Sequence, residues 1–176
     1  FTDSSWESIT NIGVRPDSQL YGMLLHSNAN VNVGEQAKVL LAGADSMHLF
    51  SGELLGPPFV VGNYRVDALS IRVGCNAPRS MVWTPAGSMW LGLDREVYML
   101  PFNSNVPVPM GTAVRSLHHT LSGIGSIPKA QIQNACAVYH DGFYKLAFAS
   151  SGQTTNDTQF WLDITRLHQN KDKLWG

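Results

Sequence analysis

Between residues 79 and 100, three short apolar runs are cut apart by two turns, and few architectures accommodate that pattern. Met81, Val82 and Trp83 lead into Thr84-Pro85-Ala86-Gly87. Proline presets φ and glycine can take φ above zero, so the chain reverses there. Met89, Trp90 and Leu91 follow, Asp94, Arg95 and Glu96 interrupt, and Val97, Tyr98, Met99 and Leu100 resume the apolar run. Runs this short, rich in aromatic and β-branched residues and joined by tight turns, predict an antiparallel meander.

The design recurs. Val82 and Cys136 open equivalent runs 54 positions apart. Residues 135–139 meet the turn His140-Asp141-Gly142, residues 143–149 return, and a polar loop over 150–157 leads to 158–164. A weaker copy lies earlier, where 38–43 pairs with 47–50 across Ala44-Asp45-Ser46 and is closed by Ser51-Gly52. Hairpins therefore start near 38, 80 and 134, a spacing that brackets the roughly 40–50 residues of a propeller blade. Closed propellers need about 4–8 blades. Three are countable here, with a partial one in front. The reading is a single all-β domain over 1–176 with three to four antiparallel blades. It is a β-propeller or an arc of a larger one, with blade-like units at about 20–73, 79–110 and 132–176. A β-sandwich is the alternative.

The connecting chain is less regular. Residues 1–20 show no firm period, with Trp6, Ile9 and Ile12 as anchors; 20–25 reads as a strand running into a turn at His26. Gly56-Pro57-Pro58 forces irregular chain, because proline cannot donate to a ladder. It opens an apolar loop over 56–61 that is expected to be exposed. Residues 68–73 look extended, 74–78 form a corner, and 103–109 form a proline-punctuated loop. Apolar residues at 113, 114, 117 and 121 have helical spacing. Thr112 is placed to cap that helix and Gly123 to stop it, so one short helix is expected over 112–121. The tail over 168–173 is polar, and Leu174-Trp175 reads as the opening of one more strand.

Composition narrows the function. Of 176 residues, 44% are apolar and 14% charged, with a net charge of −1. Such a chain folds, is long enough to bury a substantial core, and offers no basic patch to attract a phosphate backbone. Sequence-specific nucleic-acid binding is therefore not expected. No apolar run reaches the roughly 20 residues of a membrane span. Cys75 and Cys136 stand far apart and outside any Cys-x-x-Cys pair, and read as two buried free thiols. The chain begins at Phe1 rather than Met, which suggests a portion of a longer protein.

Candidate chemistry is sparse. His118 and His119 are adjacent, so on a helix their side chains diverge by about 100°. His26, His48, His140 and His168 are scattered singly, and no metal site is expected. Gly-x-Ser-x-Gly and phosphate-loop motifs are absent; 122–126 is only a glycine-containing exit from the helix. A glycosidase would need two carboxyls about 5–9.5 Å apart. The candidates are Asp94, Glu96, Asp141, Asp157 and Asp163. Asp141 precedes glycine in a turn, a backbone role. Asp94 and Glu96 are expected to face water, and Asp163 to end a strand. Trp83, Trp90 and Trp161 could stack sugars, but filling space between blades is the ordinary duty of tryptophan in such strands. Asn156-Asp157-Thr158 fits a glycosylation acceptor, a pattern common by chance. No catalytic, cofactor-binding or metal-ligating residue is assigned, and the chain is read as a non-enzyme.

The run from Val73 through Gly74-Cys75-Asn76-Ala77-Pro78-Arg79-Ser80, with Gly87-Ser88-Met89-Trp90-Leu91 and Val97-Tyr98-Met99-Leu100, resembles the propeller repeats of tailed-bacteriophage tail proteins. The closest likeness is to the nozzle, or tail-tube B, type. Glu96 stands where that pattern usually has glycine. The 112–121 helix, residues 135–146, and Trp161-Leu162-Asp163-Ile164 with Leu174-Trp175 are similar to the next blade, so the likeness covers about 38–176. The resemblance implies a structural virion protein, part of the channel through which DNA leaves the tail, with no cofactor. It also implies a homo-oligomeric ring whose partners are other tail proteins: adaptor, fibre or neighbouring nozzle subunits. Carbohydrate binding or hydrolysis by a propeller is the alternative, with Asp141 or Asp163 in a cleft beside Trp83 or Trp161.

Overall fold

The computed structural model describes residues 19–27, 38–54, 61–69, 74–110 and 127–167. They form three antiparallel sheets in succession along the chain. The first contains β1 (Leu20–Leu25), β2 (Lys38–Gly43), β3 (Met47–Leu54) and β4 (Val61–Ala68), in that spatial order. The second contains β5 (Val82–Thr84), β6 (Gly87–Leu91), β7 (Val97–Pro101) and β8 (Val108–Pro109), again in order. The third contains β9 (Cys136–His140), β10 (Phe143–Phe148) and β11 (Thr158–Asp163). The fold is all-β, as the turn grammar predicts.

Turn chemistry accounts for the reversals. Asp141 and Gly142 both take positive φ, 53° and 83°, which matches the twist of a two-residue hairpin joining β9 to β10. At the β5–β6 turn, Gly87 has φ 151°, and a Cβ there would stand 2.1 Å from the Leu100 carbonyl oxygen. Only glycine lets β7 come that close.

Two expectations need correction. The chain from Val61 to Ala68 is a strand, so Val61 belongs to β4 rather than to an exposed loop, and the extended stretch expected over 68–73 begins where β4 ends. Val108–Pro109 adds a fourth strand to the second sheet inside the segment read as irregular loop. It is short because proline gives the ladder no donor. The helix expected over 112–121, the anchors near the start and Leu174-Trp175 lie outside the described residues.

Register shows which way each sheet faces. Alternate residues of a strand point to opposite faces. In the first sheet, Leu24, Leu40, Ala42, Met47 and Leu49 share one face, and the last four are buried. The same face of Gly22 lies against Pro78 and Met81, at the entrance to the second sheet. In the second sheet, Trp83, Ser88, Trp90, Tyr98 and Leu100 share the face toward the first sheet, because Ser88 Oγ meets His26 at 2.9 Å. Met89, Leu91, Val97 and Met99 share the opposite face, and Met99 lines a cleft together with Tyr139 of the third sheet. The second sheet is thus covered on both sides, and every residue of β6 is buried. The core is one continuous cluster through all three sheets. The first strands come together: β5 touches β1 on one side and β9 on the other.

Candidate functional site

The corner at 74–80 joins the three sheets. Gly74 packs so tightly that an added Cβ would stand 2.1 Å from the Gly43 carbonyl oxygen, and Cys75 N donates to that same oxygen at 2.9 Å. Pro78–Ser80 is a turn of 3₁₀ helix. Ser80 is fully buried; its Oγ donates to Ala77 O at 2.7 Å and accepts from Leu91 N of β6 at 3.0 Å. Tyr144 of β10 donates its hydroxyl to Ser80 O at 3.0 Å. One serine therefore holds the second sheet through its side chain and the third through its carbonyl. Cys75 Sγ donates to Ala77 O, and burial pushes this thiol up to about 11, which makes it unreactive at neutral pH. Cys136 is half-buried rather than buried as expected.

The joint between the first and second sheets is polar at one end. His26 follows β1, is 1% exposed, and presents Nδ1 to Ser88 Oγ at 2.9 Å. Trp83 Nε1 donates to Ser27 O at 2.8 Å, and Phe102 packs beside both rings. His26 Nε2 is buried and without a hydrogen-bond partner among the described residues. Burial, and then the nearby Lys38 ammonium, lower the imidazole pKa from 6.5 to about 4. The ring stays neutral because a second N–H would have no acceptor there.

Between the second and third sheets lies an open cleft of about 490 Å³. The β5–β6 turn supplies Pro85 and Ala86, β7 supplies Met99 and Pro101, and Tyr139, Thr165 and the apolar Ile164 and Leu167 close the other side. Among the described residues the lining holds no carboxyl, imidazole or thiol; Tyr139 and Thr165 bring its side-chain hydroxyls. It can accept an apolar group.

The carboxylate candidates do not meet in that cleft. Asp94 is exposed, accepting from Tyr98 Oη at 2.6 Å and from Glu96 N at 3.2 Å. Glu96 does not face water as expected: it is 7% exposed and its Oε1 accepts from Val97 N at 3.1 Å. Asp141 serves the hairpin turn. Asp157 ties the 150–157 loop through Ser150 N and Oγ, and these bonds lower its pKa. Asp163 accepts from Thr165 N and Oγ and pairs with Arg166 at 3.0 Å, which likewise lowers its pKa, the Thr165 hydroxyl most. The carboxylates of Asp94, Glu96, Asp157 and Asp163 are spent on local turns or caps. Among the described residues no three His, Cys, Asp or Glu side chains gather as a metal site. His118, His119 and His168 lie outside those residues.

The tryptophans part company. Trp90 is fully buried and stacks on Tyr98 at 5.8 Å, and Trp83 is half-buried. Trp161 does not fill space between sheets as expected: it is 43% exposed, with Lys145 Nζ 4.4 Å from its ring centroid. It belongs to a wider feature. The outer face of the third sheet carries Val138, Phe143, Lys145 and Trp161, while that of the first carries Met23, Leu25, Val39 and Leu41. Met23 is 67% exposed and Leu25 55%. Val138 is 54% exposed, so each of these faces carries two large apolar side chains that reach solvent.

No protein-family model, no curated protein and no solved structure matches this chain.

Proposed function

We propose that this chain is a structural module of a tailed-phage virion, an arc of β-propeller of the nozzle type. Each sheet is one blade. The inner strands β1, β5 and β9 line the channel side, and neighbouring tail subunits dock on the end faces. The observation that carries the reading is the contact of β5 with both β1 and β9, while later strands of each sheet follow outward in order. A radial array of meanders brings first strands together in this way. The corner at 74–80, on which the resemblance to tail nozzles rests, ties all three sheets and gives the arc rigidity.

A binding or assembly role suits a surface that exposes Met23, Leu25, Val138 and Trp161 and spends Asp94, Asp157 and Asp163 on local turns and caps. The carbohydrate alternative has the exposed Trp161 in its favour, yet Lys145 already occupies a face of that ring and Asp163 is tied to Thr165 and Arg166. Mass spectrometry of native material alongside particle imaging tests the reading. The expected result is this sequence within a ring on a tailed particle. Its recovery as a free protein associated with no particle would sink the proposal.

A further inference from the structure

We propose that His26 is an acid-released clasp. Protonation of its imidazole opens one end of the joint between the first and second sheets, while the corner at 74–80 keeps the other end closed as a hinge.

The two ends of the joint are built from different chemistry, and β2 runs between them. The carbonyl of Lys38, where β2 starts, accepts from His26 N at 2.8 Å, and that of Gly43, where it stops, accepts from Cys75 N at 2.9 Å. Six residues of strand separate these points by about 17 Å. At the corner end the contacts run between backbone atoms, because the side of Gly74 where a Cβ would stand lies against the main chain of Gly43 and Ala44. None of these groups titrates.

The other end is held by a side chain that does. The His26 ring is buried, offers Nδ1 to Ser88 Oγ at 2.9 Å and packs beside Phe102, their centroids 5.1 Å apart, while its Nε2 has no hydrogen-bond partner among the described residues. Of the groups around it, Lys38 on β2 is a cation; Ser88 on β6, Trp83 on β5 and Phe102 just after β7 are neutral. Among the described residues no carboxylate answers the ring. A protonated imidazole would hold an unpaired charge in the joint beside a second cation, and moving out to water removes that cost. His26 lies beyond Leu25 and Val39, the last ladder pair, so the ring can leave while β1 and β2 keep their register. Closed, the imidazole titrates at about 4, against its ordinary 6.5. The open form therefore gains on the closed one by about tenfold per pH unit as pH falls between those values, and gains no more below them.

Two protons read the two ends. Trp83 Nε1 donates to Ser27 O at 2.8 Å, so its indole N–H is protected only while the chain beside His26 stays seated. The Cys75 amide reads the hinge through Gly43 O. Hydrogen exchange of both, followed by NMR at pH 7 and pH 4.5 and referred to the intrinsic rate at each pH, tests the device. Protection of the Trp83 indole is expected to fall about tenfold or more at the lower pH, while that of the Cys75 amide changes by less than about twofold. His26→Gln still bonds Ser88 and takes up no proton, so its Trp83 protection is expected to be the same at both pH values. In the parent chain the ring proton on His26 Cε1 gives a readout that needs no variant, and its shift is expected to titrate well below 6.5. Equal loss at Trp83 and Cys75 would mean that acid undoes the whole joint, and it overturns the clasp. So does an unchanged Trp83, the same loss in His26→Gln, or a His26 ring that titrates at its ordinary value in the folded chain.

Discussion

The second and third sheets are written in nearly the same local grammar and live in different surroundings. Both are meanders with aromatic strands and tight turns. In the second, every residue of β6 is buried; in the third, β10 alternates between half-buried and buried, and β11 shows exposed residues at every other position until its end. The difference lies in neighbours rather than in strand sequence. Among the described residues, the middle sheet is packed on both faces and the third on one. Trp90 and Trp161 make the point within one residue type, the first fully buried and the second 43% exposed.

The sharpest way to break that comparison is to remove both rings in turn. Trp90→Ala is expected to cost about 3–5 kcal/mol, the range for deleting a buried aromatic side chain. Trp161→Ala, which loses an exposed ring and its contact with Lys145, is expected to cost within about 1 kcal/mol. Denaturant midpoints at constant slope measure both. Equal costs would mean that the outer face of the third sheet is covered in solution. Trp90→Phe is expected to be far milder than Trp90→Ala, since Trp90 Nε1 is buried without a partner among the described residues and its removal strands nothing.

Strands and turns were legible because they are written locally. Pro85 with Gly87, and Asp141 with Gly142, specify reversals whatever packs on them. β4 was missed because its alternation, with Asn63, Arg65 and Asp67 between apolar residues, follows a proline-rich segment and suggested loop. Glu96 was misplaced because nothing local says that a carboxylate beside Arg95 will turn back to cap Val97 N. The pairing of His26 with Ser88 spans 62 positions, and the bond from Tyr144 to Ser80 spans 64. Such contacts depend on which faces meet, and strand periodicity carries no such information. The same gap explains Trp161: its alternation marks a face, but not whether that face has a neighbour.

The joint between the first and second sheets offers a smaller test. Gly74→Ala would place a methyl 2.1 Å from Gly43 O and 2.4 Å from Ala44 backbone atoms, neither of which can swing aside as a side chain could. Separating them strains the bond from Cys75 N to Gly43 O. A loss of about 1–3 kcal/mol is expected, typical of overpacking. Hydrogen exchange should speed up in β1 to β4 more than in β9 to β11. Uniform acceleration would show that the three sheets unfold as one unit.

That joint should also respond to acid. The unfolded His26 takes up a proton near 6.5, whereas the folded ring resists until about 4. Between those values the unfolded state holds more protons, so stability falls as pH drops through that window and levels off below it. His48, lowered by burial, adds in the same direction. His26→Gln keeps a group able to bond Ser88 and removes the titration, so its melting temperature should fall less between pH 7 and pH 4.5 than that of the parent chain. An unchanged slope would assign the acid sensitivity elsewhere.

The smallest effect is expected where the third sheet meets solvent. Asp157 closes the 150–157 loop by accepting from Ser150 N and Ser150 Oγ at 2.8 and 2.6 Å, and both bonds favour the ionised carboxyl. Its contribution is present above the ordinary carboxylate range and is lost as pH falls through its lowered folded value. Asp157→Asn exchanges a charged acceptor for a neutral one in an exposed loop, where water readily replaces what is lost. The melting temperature at pH 7 should move by a degree or two at most, with faster exchange of the Ser150 amide. A large drop would mean that this loop carries load from outside the third sheet, and that the sheet's open side is supported by more than its own strands.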